Sequence, residues 1–200
     1  MKTITRRPTA ERRQEIAEAV IRIIGEQGFP ALTTSTLAAE VGLTTGALFR
    51  HFPSQEAILT HATRHAAERI AATFPDGSLP AVERLHTLAA NRVSLLGPDP
   101  GLAWFVRSEQ AMLALPEQAA EELRALADRS KRFILAALRE GVSQGSIRSD
   151  VPAQHLLLIV TGTIHSLIGM SGVQKLTAGK ANAPIKVLNG LMQLLAAAPR

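Results

Sequence analysis

The sequence predicts an all-α fold of about nine helices. Apolar residues recur at i, i+3, i+4 and i+7, and helix-capping Ser and Thr alternate with Gly and Pro at helix-length intervals. No segment alternates apolar and polar residues between turn signals as a strand would, and no fixed-period repeat appears.

Each element has its own justification. Thr9 is placed to cap a helix starting at Ala10, with Glu11 favourable in its first turn. Ile16, Val20, Ile23 and Ile24 form one apolar stripe along it, and Gly28 followed by Phe29 ends it. Thr34 or Ser35 caps a second, short helix through Val41, closed by Gly42. Thr44 caps a third, from Thr45 to about Phe52, before Pro53. Ser54 caps a longer fourth helix carrying Ala57, Ile58, Ala62, Ala66 and Ile70. The turn cluster at 74–80 is the best candidate domain boundary. Beyond it helices are expected over 81–96, 102–113, 116–142, 152–170 and 184–197.

Composition removes several classes of function. With no cysteine among 200 residues, neither a disulfide scaffold nor a thiolate zinc site is possible. A 46% hydrophobic content supplies enough apolar surface to offset chain entropy and excludes disorder. The net charge of +5 favours a polyanionic partner, and its distribution says more than its sum. Within 1–13, Lys2, Arg6, Arg7, Arg12 and Arg13 face only Glu11, a local +4. The final fifty residues hold four cations and no acid.

Arg12 and Arg13 run into Gln14, Glu15 and Glu18 where a signal peptide would need an apolar run, so a cytoplasmic protein is expected. Between Asp150 and Lys175 lie 24 uncharged residues. Pro152, Gln154, His155, Gly162, His165 and Gly169 make this stretch too polar for a lone membrane span, so it reads as a buried or interfacial helix.

Residues 34–52 fit the physical template of a helix-turn-helix. Two short helices crossing steeply need a small residue at their approach and a glycine free to take positive φ in the turn. Ala38 and Gly42 meet those needs, and Leu37, Val41, Leu43 and Leu48 would hold the pair over the first helix. Thr44, Thr45 and Gly46 then open a recognition helix whose N-terminal end would reach base edges in the major groove.

This segment resembles the TetR family of bacterial transcriptional regulators. The resemblance runs through Ala31-Leu32-Thr33-Thr34, Leu37-Ala38-Ala39-Glu40-Val41-Gly42-Leu43-Thr44 and Gly46-Ala47-Leu48-Phe49-Arg50-His51-Phe52-Pro53-Ser54-Gln55-Glu56-Ala57-Ile58-Leu59. It implies a DNA-binding domain at 1–55, a connecting helix at 56–75, and an effector-binding and dimerisation domain at 76–200. By the same resemblance the partner is duplex operator DNA, contacted by Thr34, Ser35, Thr44, Thr45, Gly46, Phe49, Arg50 and His51. The bland alternatives are that the hydroxyls only cap helices and that Arg50 only makes a surface ion pair.

Three departures from the family pattern alter particular contacts. Phe49 stands where a tyrosine hydroxyl usually touches a phosphate, Gln55 where a lysine commonly contacts the backbone, and Thr45 where lysine is frequent. Two missing cations should flatten the salt dependence of binding. Arg6 and Arg7 in the N-terminal arm are expected to compensate at phosphates or in the minor groove.

The resemblance also implies a small-molecule site and a homodimer in the C-terminal helices, near 152–170 and 184–197. Asn91, Trp104, Phe105, Arg107, Gln110, Met112, Phe133 and His165 are the candidate ligand residues, although such side chains are more often ordinary core. No catalytic motif is recognisable, so no enzyme and no cofactor is expected. His61 and His65 lie one helical turn apart, which reads as two ordinary exposed histidines before it reads as a metal site. A DNA-binding repressor released by a small molecule is the leading expectation. The alternative is an all-helical ligand-binding or interaction protein without DNA function, including one resting on a membrane surface.

Overall fold

The computed structural model describes residues 9–107, 109–169 and 183–197, without the side chains of Glu109 and Gln110. They form ten α-helices: α1 Thr9–Gln27, α2 Thr34–Glu40, α3 Thr45–Leu48, α4 Gln55–Ala71, α5 Ala81–Leu96, α6 Pro100–Arg107, α7 Glu109–Ala114, α8 Glu117–Ser143, α9 Ala153–Gly169 and α10 Ala183–Leu195. A 3₁₀ turn at Phe29–Ala31 follows α1, and the described residues contain no strand beyond an isolated bridge between Ile147 and Ala196. The expected helix over 102–113 corresponds to α6 and α7, and α6 starts earlier at Pro100, which suits a first turn because the missing N–H would be unpaired there. Thr9, expected as the cap of α1, is itself helical.

The chain divides into two compact units. The first runs up to Arg69 and adds Pro100–Arg124; the second takes Ile70–Asp99 and the chain from Ala125 onward.

In the first unit the predicted stripe of α1 is the core. Ile16, Val20 and Ile23 are fully buried and Ile24 nearly so, together with Leu48, Phe52, Ile58 and Leu102. Helices α1 and α6 meet through glycines. A Cβ on Gly101 would stand 2.0 Å from the Ile21 carbonyl oxygen, and one on Gly25 would stand 2.6 Å from the Gly101 nitrogen. Only residues without side chains allow backbones that close. Phe29 stacks on Trp104 at 5.1 Å and 5° between planes, which fixes the chain as it leaves α1.

In the second unit α5, α9 and α10 pack on one another. Leu85, Leu88, Ile134, Leu138, Val160, Ile164 and Leu188 are buried there. His86 Nε2 lies 2.9 Å from Asn189 Oδ1, tying α5 to α10, and the Arg148 N–H donates to the Leu195 carbonyl at 2.9 Å. The uncharged helix α9 is buried along Leu156, Val160, Ile164, Leu167 and Ile168, whereas Leu158 and Ile159 on another face are 69% and 49% exposed. Leu194 of α10 is also 69% exposed. No helix among the described residues is long and apolar enough to cross a membrane.

Candidate nucleic-acid interface

The two short helices are built by local hydrogen bonds that the sequence supplies. Thr33 caps α2, its Oγ1 accepting the Thr36 N–H at 3.1 Å. The cap thus lies one residue before the expected Thr34 or Ser35, which are already helical. Thr33 Oγ1 also lies 2.9 Å from Ser35 Oγ and 2.8 Å from Thr36 Oγ1, a small knot of hydroxyls at the entrance to the helix.

The end of α2 explains the turn. The Leu43 N–H donates to the Ala38 carbonyl at 2.8 Å, and the Gly42 N–H to Ala39 at 3.1 Å. This nested pair closes a helix with its next residue in the left-handed region, and Gly42 sits there at φ 65°. Leu37, Ala38 and Leu48 are buried beneath the turn, as the steep crossing requires, while Leu43 is half-buried.

Thr44 caps α3 as predicted, its Oγ1 accepting the Ala47 N–H at 3.1 Å. The helix proper stops at Leu48, not near Phe52. Arg50 and His51 donate their N–H groups to Ala47 and Leu48 in tighter i to i−3 bonds, a 3₁₀-like close to the segment. Ser54 then caps α4 through the Ala57 N–H at 3.1 Å, also as predicted.

Thr44, Thr45, Gly46 and Arg50 are exposed around α3, Phe49 is 40% exposed and His51 half-buried. Ser35 is exposed and Thr34 half-buried at the start of α2. Gln55 points back into the motif, its Nε2 lying 3.5 Å from the Leu32 carbonyl. Arg6 and Arg7 lie outside the described residues.

The N-terminal charge needs a correction. Arg12 and Arg13 counted toward a free basic arm, yet both are engaged within the unit. Arg12 Nη1 donates to Glu15 at 2.8 Å and approaches the Val41 carbonyl at 3.5 Å, bracing the end of α2. Arg13 lies over the Phe52 ring, 4.6 Å from its centroid. Arg22 pairs with Glu40 at 2.7 Å, a second brace on α2. Sequence reasoning missed these braces because they link residues about twenty to forty apart; the helical phase of Arg12 and Arg13 on α1 was the available signal.

His61 and His65 are half-buried, which corrects their reading as exposed. The His61 ring lies 5.3 Å from Phe52, and His65 Nε2 is 3.7 Å from Glu18 Oε1. Burial, then Arg13, His65 and Arg64, hold His61 below its ordinary pKa, with Glu68 opposing them. No cluster of three His, Asp or Glu side chains with metal-binding geometry occurs among the described residues.

The candidate ligand residues are divided between the two units. Phe105 is buried in the first unit edge-on to Trp104, with Met112 half-buried and Arg107 exposed in the same unit. In the second unit Asn91 donates to the Thr73 carbonyl at 3.2 Å, and Phe133 meets Phe74 edge to face at 5.2 Å. His165 is exposed on α9, and the side chain of Gln110 lies outside the described residues.

Known proteins match this arrangement. The family model described as "Bacterial regulatory proteins, tetR family" matches residues 16–62, which spans the stripe of α1, the turn and the start of α4. The nucleoid occlusion factor SlmA of Haemophilus influenzae is 26% identical, over 80% of this chain and 76% of its own. The HTH-type transcriptional repressor Rv1474c of Mycobacterium tuberculosis is 27% identical, over 84% of this chain and 89% of its own. Among solved structures, the ketosteroid transcriptional regulator KstR2 of Mycobacterium tuberculosis superposes with a TM-score of 0.75 at 18% identity, covering 94% of this chain and 96% of that one. AibR, solved with isovaleryl coenzyme A and operator DNA, gives 0.74 at 18% identity, covering 92% and 98%. The turn geometry, the capped short helices and the agreement of these matches lead to one conclusion: over residues 16–62 the chain is that of the tetR family of bacterial regulatory proteins.

Proposed function

We propose that the protein is a dimeric DNA-binding transcriptional regulator, a repressor that a small-molecule effector releases from its operator. The observation that carries this reading is the exposed Thr44-Thr45-Gly46 start of α3, held by the Gly42 turn over a buried Leu37-Leu48 pair. A short helix presented this way fits the major groove. Thr34, Ser35, Thr44, Thr45, Gly46, Phe49, Arg50 and His51 form its DNA contacts, with Arg6 and Arg7 adding phosphate or minor-groove contacts. The domain at 1–55 reads DNA, the helix at 56–75 connects, and 76–200 holds effector and partner. The effector half of the reading draws on AibR, whose structure holds both isovaleryl coenzyme A and operator DNA. A non-enzymatic, cytoplasmic role follows from that assignment.

Dimerisation draws on the exposed apolar side chains of α9 and α10. Leu158, Ile159, Val187 and Leu194 are uncovered, and a Cβ added to Gly162 or Gly190 would meet nothing. A second copy of the same two helices would cover them as a four-helix bundle and set two recognition helices to read a palindrome.

The deciding experiment is a gel shift at stated salt with the DNA flanking the protein's own gene, against random duplex of equal length. Preference for the flanking DNA, lost on deletion of residues 1–8 together with Thr45→Glu, is expected. Equal affinity for both duplexes sinks the regulator reading.

A further inference from the structure

Two arginines of α5 reach toward α8, and only one finds an acid. Arg84, 9% exposed, pairs with Glu140. Just over two turns later Arg92, half-buried, meets hydroxyls: its Nε lies 3.3 Å from Thr73 Oγ1 and its Nη2 2.7 Å from Ser130 Oγ. Both hydroxyls spend their own proton on helix carbonyls, Thr73 on Ile70 at 2.6 Å and Ser130 on Leu126 at 2.8 Å. They offer Arg92 lone pairs and no charge. Burial, unopposed by any carboxylate, pushes Arg92 down to about 10.

A second cation meets the same aromatic ring. The Arg92 and Arg129 guanidinium carbons lie 5.2 and 4.3 Å from the centroid of the same Phe74 ring. Neither arginine has a carboxylate partner among the described residues. Taking a guanidinium out of water without a counter-ion is costly. A tie between helices needs no such charge, as Gln would donate to the same two hydroxyls. An anion supplied from outside removes the penalty, and the free edge of a planar guanidinium fork matches an oxoanion. The edge-to-face pair of Phe74 and Phe133 adds apolar surface for carbon next to the charged group.

We propose that Arg92 and Arg129, framed by Thr73, Ser130 and the Phe74–Phe133 pair, bind the carboxylate or phosphate head group of an organic anion. The proposal rests on the effector reading above for its biological use, and it names the chemistry of that effector. None of these six residues was singled out for the site by sequence except Phe133.

The test is calorimetric titration and melting of the full chain with octanoate, octyl phosphate, inorganic phosphate and uncharged octanol. At least one of the two eight-carbon anions should bind and raise Tm, with octanol weaker by on the order of tenfold or more. The preferred head group identifies the source as a carboxylate or a phosphate ester; inorganic phosphate alone should bind more weakly than octyl phosphate. Arg92→Gln should lose anion affinity by on the order of tenfold while the ligand-free variant melts no lower than the parent, because an uncompensated charge has gone. Arg129→Gln, exposed and safe to fold, should weaken the same anion by roughly threefold. Failure of both anions to bind, binding of octanol as tight as theirs, or affinity unchanged in both variants overturns the site. Gel shifts separate the two proposals: anion binding that leaves the operator complex intact refutes the effector reading alone, whereas operator release by an anion that ignores Arg92 and Arg129 refutes the anion site alone.

Discussion

The first unit writes its structure in local marks, and the second in distant ones. Thr33, Thr44 and Ser54 each cap the helix that follows within three residues, and Gly42 ends α2 with its own φ of 65°. In the second unit the ties are long: Arg84 to Glu140, Arg92 to Ser130 and His86 to Asn189 span from tens of residues to more than a hundred. The difference teaches where each kind of function is encoded. A DNA-reading turn must hold one backbone geometry, which short polar side chains and glycine specify cheaply. The second unit leaves Arg92 without an acid and Leu158 and Leu194 exposed, so polar groups and apolar faces stay unmatched within the described chain.

The contrast can be broken most severely where the first unit stops being local. Gly101→Ala forces a Cβ against the Ile21 carbonyl oxygen, so α1 and α6 must separate. The expected loss is about 3 kcal/mol, read as a lowered urea midpoint. Gly162→Ala, where a Cβ meets nothing in the chain, is the control and should be neutral or gain about 0.5 kcal/mol as a monomer.

The second unit's apolar face is tested next. Leu158→Glu with Leu194→Glu changes two side chains that are each 69% exposed, so folding should hold while self-association fails. Sedimentation at micromolar concentration should show the parent at twice the chain mass and the variant at one; a monomeric parent would remove the dimer.

A smaller effect tests the local marks. Thr44→Ala removes the acceptor for the Ala47 N–H and should cost about 1 kcal/mol in the first unit. Phe49→Tyr adds a hydroxyl on an exposed ring and should tighten operator binding by roughly threefold, checked by gel shift at fixed salt.

The smallest concerns pH. His61 has a folded pKa below 6.5, so between that value and 6.5 the unfolded chain binds more protons. Stability is full above 6.5 and falls as pH drops through that window. His61→Gln should flatten the melting profile between about pH 7.5 and about pH 5, and an unchanged slope would refute the assignment.

How much was legible follows the same line. The α5 limits, the Thr44 and Ser54 caps and the Gly42 turn were readable because each depends on residues within one helical turn. The cap of α2 was placed one residue late because four consecutive hydroxyl residues, Thr33 to Thr36, offer equivalent chemistry, and only backbone φ and ψ choose among them. The early end of α3 was missed since nothing in Phe49-Arg50-His51 forbids another α-helical turn.

The sequence by itself determined the helical class, the helix-turn-helix and its exposed threonines, because periodicity, capping and turn glycines act over short range. Tertiary structure decided which charges are free. Arg12 and Arg13, apparently part of a basic arm, reach the Val41 carbonyl and the Phe52 ring, while Arg92 and Arg129, unremarkable in a charge-balanced stretch, share a phenylalanine without an acid. A charge count is a sum along the chain, but neutralisation acts across space.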